Sequence, residues 1–308
     1  MTTREVVLLG SQRRPSVQHV VRDLDPHARI ATVTAGWRER EPDDAEMNDL
    51  LGGRAVNLSL HARWQDLLEK DRDYAVAERE HDAALGELRQ LYLTQLDHAL
   101  GATYEIAAGT EGRPRFRERV LADALELVRV ADEQHLVRIR EAHLEFYDAW
   151  QPQGRPAVAA HREQVREILQ SSTAVVIAGG HVGDLVKVLH LFHVEPHLPG
   201  LVVAWSAGAM ALTERVVLFH DYVPHGVAQT EVMGEGLGLL PDLVPLPDAR
   251  RRLRVNDPVR MAVLARRFEP AHCLVLDDGA RLRLADGGLP PDSRVVDREG
   301  RITQFEAA

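Results

Sequence analysis

Ser206 stands in the stretch LVVAWSAGAMAL, between Trp205 and the small residues Ala207, Gly208 and Ala209. An apolar run stops there and a helical pattern begins, so the serine falls at a strand-to-helix corner. A serine on such a corner is the nucleophile-elbow pattern: its backbone is strained, its hydroxyl stands clear, and small neighbours allow close approach. The start of the following helix offers free N–H groups and positive partial charge to a developing oxyanion. The plain alternative is a serine that caps a helix. A second site has a related chemistry. VVIAGGHVGDLV carries Gly179 and Gly180 where another apolar run ends before a helix, and backbone without Cβ atoms can approach a ligand there. The N–H groups of Gly180 and Ala207 would form the oxyanion pair. The plain alternative is a tight turn with glycine for packing.

The elements that must position these residues follow from pattern. EVVLLG (5–10), RIATVTAG (29–36), RAVNLSL (54–60), TAVVIAGG (173–180) and GLVVAWS (200–206) are short apolar or β-branched runs, most of them closed by Gly. Helical spacing separates several of them, as at Val17, Val20, Val21 and Leu24. Strands alternating with helices predict a parallel sheet, whose ligands lie at the carboxyl ends of the strands. From about residue 60 to 170 strand signals are sparse. Leu85, Leu88, Leu91, Tyr92 and Leu96 mark one helix face, and Val120 to Trp150 a second. GATYEIAAGTEGRPR (101–115) reads as a loop between them, and AVAAHREQVREILQSS as a third helix. The expected organisation is an α/β core over 1–60 and 171–308, with an inserted helical hairpin or subdomain over 61–170. The insertion is either a lid on the crevice or an interface. Near the end, DREGR reads as a hairpin turn.

Bulk properties exclude several classes. The chain has 308 residues, 45% hydrophobic and 27% charged, with a net charge of −10. That describes a globular protein with a sizeable core and no overall affinity for nucleic acid or anionic membranes. The first residues have too short an apolar core for a signal peptide, and no run is long enough to span a membrane. The single Cys273 rules out an intrachain disulfide framework. A cytoplasmic location is expected. Cys273 lies inside an apparent strand, away from the elbow, and reads as a small buried apolar residue. An amidotransferase thiolate is therefore absent from the position where Ser206 stands.

IAGGHVGDL, VVAWSAGAMAL, GLGLLPDLV (236–244), RRRLR (250–254) and LVLDDGARL (274–282) together resemble the serine peptidases that include peptidase E (aspartyl dipeptidase) and cyanophycinase. The resemblance covers roughly 1–60 and 170–290. It implies a doubly wound, mostly parallel α/β sheet of the class I glutamine-amidotransferase-like kind, with the helices as a long insertion. It also implies a Ser-His-acid site acting on an acidic or peptide-like substrate without a cofactor. Arg252 and Arg254 match the family's Arg-x-Arg, and Arg252 is the candidate substrate contact, a guanidinium fork suited to a carboxylate. Asp278 maps to the family acid.

The chain departs from that pattern. The family histidine, about seven residues after Pro241, is replaced by Asp248. Aspartate, with an ordinary pKa of about 3.9, cannot replace imidazole as a base near neutral pH. Ala204 stands where Gly is usual, His181 where relatives often have asparagine, and Asp278 is one methylene shorter than glutamate. His181 is the leading candidate for base, because it follows the oxyanion turn. His220, His225 and His272 are the others, and with 15 histidines in the chain most serve surface or packing roles. The leading reading is a hydrolase that cleaves a peptide or amide bond through an acyl-enzyme on Ser206. The other is a catalytically impaired homologue that binds a small ligand or peptide. A homodimer is expected, and no metal. Glu78-x-x-His81 and Asp132-x-x-His135 have a spacing used by helical di-metal sites, but they lie in charged runs and read as solvated or ion-paired faces. Trp205 would form an apolar wall beside Ser206.

Overall fold

A computed structural model describes residues 4–12, 15–222, 230–284 and 288–306. The elements run β1 (Glu5–Leu9), α1 (Val17–Val21), β2 (Ile30–Val33), α2 (Ala45–Leu50), β3 (Ala55–Asn57), α3 (Leu60–Lys70), α4 (Arg72–Ala108), α5 (Pro114–Trp150) and α6 (Pro156–Gln170). They continue β4 (Ala174–Ile177), α7 (Val182–Leu191), β5 (Leu201–Trp205), α8 (Ala207–Ala211), β6 (Arg215–Leu218), β7 (Glu231–Glu235), β8 (Leu243–Pro247), α9 (Ala249–Arg252) and α10 (Pro258–Phe268). The last strands are β9 (His272–Leu276), β10 (Arg281–Leu284), β11 (Arg294–Val296) and β12 (Ile302–Gln304).

The fold is mixed α/β around a mostly parallel sheet in the order β10-β1-β5-β4-β2-β3. Every neighbouring pair from β1 to β3 in that order is parallel, and only β10 runs against β1. Alternate residues of each strand face opposite layers. Val7, Leu9, Ile30, Val176 and Val203 pack with α1 and α2 on one side. Val6, Leu8, Ala31, Val33, Val175, Ile177 and Val202 pack on the other with α3, α6 and α7. Both faces are covered, which is why these strands are apolar throughout rather than alternating.

The tail strands pair elsewhere. β8 and β9 are parallel and belong to a four-stranded sheet, β12-β11-β9-β8, while β6 and β7 form an antiparallel pair. β11 and β12 pair antiparallel across DREGR, so the hairpin turn is present. The loop expected over 101–115 is a correction. Helix α4 runs to Ala108, and only a short turn separates it from α5 at Pro114. Leu96, Leu100 and Thr103 continue a buried face through Gly101, and that tertiary burial outweighs the roughly 1 kcal/mol helix penalty of glycine. Among the described residues no helix is long and apolar enough to cross a membrane.

Of the two readings of the charged runs on the hairpin, the ion-paired one holds for Glu78 and Asp132, and the solvated one fails, since Glu78, Asp132 and His135 are buried. Glu78 accepts the Trp64 indole N–H at 2.9 Å and lies 3.7 Å from Lys187 Nζ. Asp132 receives Arg267 Nε at 2.7 Å and Nη2 at 2.5 Å, and the Tyr92 hydroxyl at 2.8 Å. Arg267 also donates to the Thr230 carbonyl at 2.7 Å, and Tyr92 Oη accepts the Val232 N–H at 3.0 Å. This network ties α4, α5 and α10 to β7. Among the described residues no three His, Cys, Asp or Glu side chains converge on a metal-sized site.

Candidate active site

Ser206 has φ 51° and ψ −122°, and α8 starts at the next residue. A side chain other than glycine holds such a conformation only where its surroundings impose it, at a cost of about 1–3 kcal/mol. The surroundings are backbone. β4 and β5 are adjacent and in register, with Ile177 opposite Ala204, so Gly179 comes level with Ser206. A Cβ on Gly179 would lie 2.8 Å from Ser206 Cβ and 3.4 Å from its Oγ. A Cβ on Gly208 would lie 2.3 Å from the Ile177 carbonyl oxygen. Gly180 has φ 128°, and its absent Cβ leaves room for the Gly36 carbonyl, 2.3 Å from where that atom would be. The small residues around the serine are therefore demanded by two strand ends and a turn packed main chain against main chain. Among the described residues the N–H groups of Gly180 and Ala207 have no hydrogen-bond acceptor, and Ser206 Oγ has no partner.

Ser206 opens on a cavity of about 760 Å³. Gly179, Gly180 and Ala207 form its floor, and Trp205, Trp37 and Phe219 supply apolar wall. Its polar lining is Gln12, His220, Arg252, Arg89 and Glu231. Arg252 is half-buried and makes no side-chain hydrogen bond or ion pair among the described residues. Arg89 comes from helix α4 and clasps Glu231 of β7 through Nε at 2.9 Å and Nη2 at 2.5 Å. The Glu231 carboxylate holds the Arg89 guanidinium above its usual pKa, against the opposing effect of burial. The helical segment thus contributes a residue to the wall of the cavity.

His220 and Arg252 are brought together by Asp221. That carboxylate is 3% exposed. It receives Arg260 Nε at 2.8 Å and the Arg254 N–H at 2.8 Å, while its own N–H donates to the Arg252 carbonyl at 2.7 Å. The His220 ring accepts the Tyr222 N–H at Nδ1, 3.3 Å away. In the neutral ring this leaves the proton on Nε2.

The other candidates lie apart from the cavity lining. His181 caps α7: its Nδ1 accepts the Asp184 N–H at 3.2 Å, and the ring is about half exposed. Asp248 adopts φ 54° and accepts the Ser11 hydroxyl at 2.8 Å. Asp278 is exposed, and it is Asp277 that turns inward, accepting the Arg250 N–H at 3.2 Å. His272 begins β9 and packs edge-on against Phe305. His225 lies outside the described residues. Cys273 is buried in β9, and burial pushes its thiol up to about 12. Arg89, Glu231, Trp37, Gln12 and Asp221 were not singled out by sequence reasoning. Arg89 sits in GELRQLY, where a charge beside leucines reads as an ordinary exposed helix position. The one available signal was His220-Asp221 following the strand after the elbow.

No protein-family model matches the chain, and no curated protein matches it. Among solved structures, a crystal structure of a peptidase from an acI-B1 actinobacterium aligns over 99% of this chain and 95% of that one, at 13% identity and a TM-score of 0.39. Likeness at that level says nothing of what this chain does.

Proposed function

We propose that the chain is a serine hydrolase of the peptidase E type, on a class I glutamine-amidotransferase-like core, cleaving a peptide or amide bond through an acyl-enzyme on Ser206. The observation that carries the reading is the forced backbone of Ser206 at the mouth of a 760 Å³ cavity. Strain of this kind persists where it serves a site. In this reading Ser206 Oγ attacks the carbonyl carbon as its proton passes to an imidazole. The N–H groups of Gly180 and Ala207 hold the oxyanion. Collapse expels the amine, which takes the proton back, and water then cleaves the ester. Arg252 anchors a substrate carboxylate.

The imidazole is assigned to His220 in place of His181, because His220 lines the same cavity as Ser206. It accepts a proton only after the 3.3 Å contact between its Nδ1 and the Tyr222 N–H gives way. That contact supports the second reading: a crevice that binds an acidic or peptide ligand without turning it over. Asp248 in the family histidine's position, held by Ser11, favours it too.

A fluorophosphonate probe separates the two. Hydrolase chemistry requires labelling of the wild type, none of Ser206→Ala, and at least 100-fold slower labelling of His220→Ala. A wild type as inert as Ser206→Ala refutes the hydrolase. Binding of a short acidic peptide by that inert protein, lost in Arg252→Ala, then establishes the second reading.

A further inference from the structure

We propose that the outer face of α5 is the two-fold interface of a homodimer, packed antiparallel against α5 of a second copy. Phe116, Val120, Leu127, Val130, Val137 and Leu144 are exposed on this one helix, Leu127 by 67%. Val120 and Leu127 are seven residues apart, as are Val130, Val137 and Leu144. A seven-residue repeat keeps an apolar seam facing one partner helix. From Phe116 to Leu144 the seam runs about 42 Å at 1.5 Å per residue. Asp123, Gln134 and Glu141 interrupt the row, but six large apolar side chains exposed along one helix face differ from the singly scattered ones that need no explanation, and mark an interaction surface. By their fractional exposures these six side chains offer roughly 500 Å² per copy. Pairing two copies buries about 1,000 Å² before flanking charges are counted, which reaches the threshold for a specific interface.

The charges say which partner fits. Residues 113–119 carry Arg113, Arg115, Arg117 and Arg119 with Glu118, while residues 141–148 carry Glu141, Glu145 and Asp148. Glu118 pairs with Arg266 and Arg115 stacks on Phe116. The other three arginines and the three late acids make no ion pair among the described residues. Each end opposes the helix dipole, which favours acids at the N-terminus and bases at the C-terminus. The arrangement therefore does not serve α5 alone, and among the described residues no ion pair joins these end charges to α4 beside it. An antiparallel second α5 does, setting the basic end of each copy against the acidic end of the other. A parallel copy would oppose like with like. The surface is self-complementary about a two-fold axis near the helix midpoint, as a closed dimer requires.

The experiment is sedimentation equilibrium on the full chain. The wild type is expected at twice the 34.4 kDa chain mass. Leu127→Glu with Val130→Glu is expected at the single-chain mass with its helical circular dichroism intact. Reversing the basic end (Arg115→Glu, Arg117→Glu, Arg119→Glu) is expected to weaken the dimer at least tenfold. Adding Glu141→Arg, Glu145→Arg and Asp148→Arg is expected to restore it. A wild type of single-chain mass, a dimer unmoved by the seam substitutions, or a full charge swap that fails to restore association overturns the proposal. None of these readouts depends on the chemistry of Ser206.

Discussion

Asp132→Ala removes the carboxylate that neutralises Arg267, a guanidinium only 3% exposed in the folded chain. Burial works against that charge, and Asp132 outweighs it, leaving the arginine above its ordinary pKa. The substitution deletes two charge-assisted hydrogen bonds, at 2.7 and 2.5 Å, and orphans the Tyr92 hydroxyl proton. Leaving one partner of a buried pair uncompensated costs about 3–5 kcal/mol. Replacing both partners by apolar groups is often neutral, so Asp132→Leu with Arg267→Met is expected within about 2 kcal/mol of wild type. Hydrogen exchange reads the loss at one atom. The Val232 N–H bonds to the Tyr92 hydroxyl, and loss of about 3 kcal/mol of protection accelerates its exchange on the order of 100-fold. Urea unfolding gives the matching change for the chain. A cost below about 1 kcal/mol for Asp132→Ala, or a double variant less stable than either single, would refute the reasoning.

Gly208→Ala places a methyl 2.3 Å from the Ile177 carbonyl oxygen and is expected to cost about 2 kcal/mol or more, seen as a lower thermal midpoint. Ser206→Gly relieves the positive φ and is expected to stabilise the chain by about 1 kcal/mol relative to Ser206→Ala, which keeps the strain. Burial depresses His135 and His143 to about 4. The unfolded chain takes up these protons near pH 6.5, so their contribution is complete above pH 6.5 and is lost as pH falls from 6.5 towards 4. Fully buried His135 accounts for about 2–3 kcal/mol of that loss, and half-buried His143 for less. Both ring nitrogens of His135 lack partners, so His135→Phe is expected to flatten the slope in urea unfolding between pH 4 and 6.5 while keeping the stack on Tyr92.

Strands β1, β2, β4 and β5 were legible because a strand buried on both faces leaves an unbroken apolar run, and in three of them the run ends on a glycine that makes a close approach. Gly10, Gly36 and Gly179 each come within 3.0 Å of a neighbouring atom if given a Cβ. The elbow was legible for the same reason, since close packing leaves a run of small residues. The wall of the cavity was not. Arg89 and Glu231 are 142 residues apart in sequence, and nothing local to either distinguishes a cavity-lining charge from a solvated one. Asp132 shows the same limit. Its run ADEQHL is charged and reads equally as solvated or ion-paired, because the side chain that neutralises it lies 135 residues on. Burial of a charge depends on its partner, and the partner is set by tertiary structure.

The same network changes the meaning of the helical segment. The hairpin holds β7 at three points, Glu231 by Arg89, Val232 N–H by Tyr92 and Glu235 by Arg140, while Arg267 of α10 holds the Thr230 carbonyl just before it. Glu231 also lines the cavity on which Ser206 opens. The lid and the interface are therefore not exclusive roles for this segment. Its inner face braces one wall of the cavity, while the apolar row of α5 lies among its exposed residues. A partner docked on that row would stiffen α5, and through Asp132 and Tyr92 would reach β7 without touching the cavity. The core sheet sets Ser206 and the glycine turn by main-chain packing, which a partner on α5 leaves alone. Coupling between assembly and the site would therefore act on the Arg89–Glu231 wall, and so on ligand affinity, and would leave the reactivity of the serine unchanged.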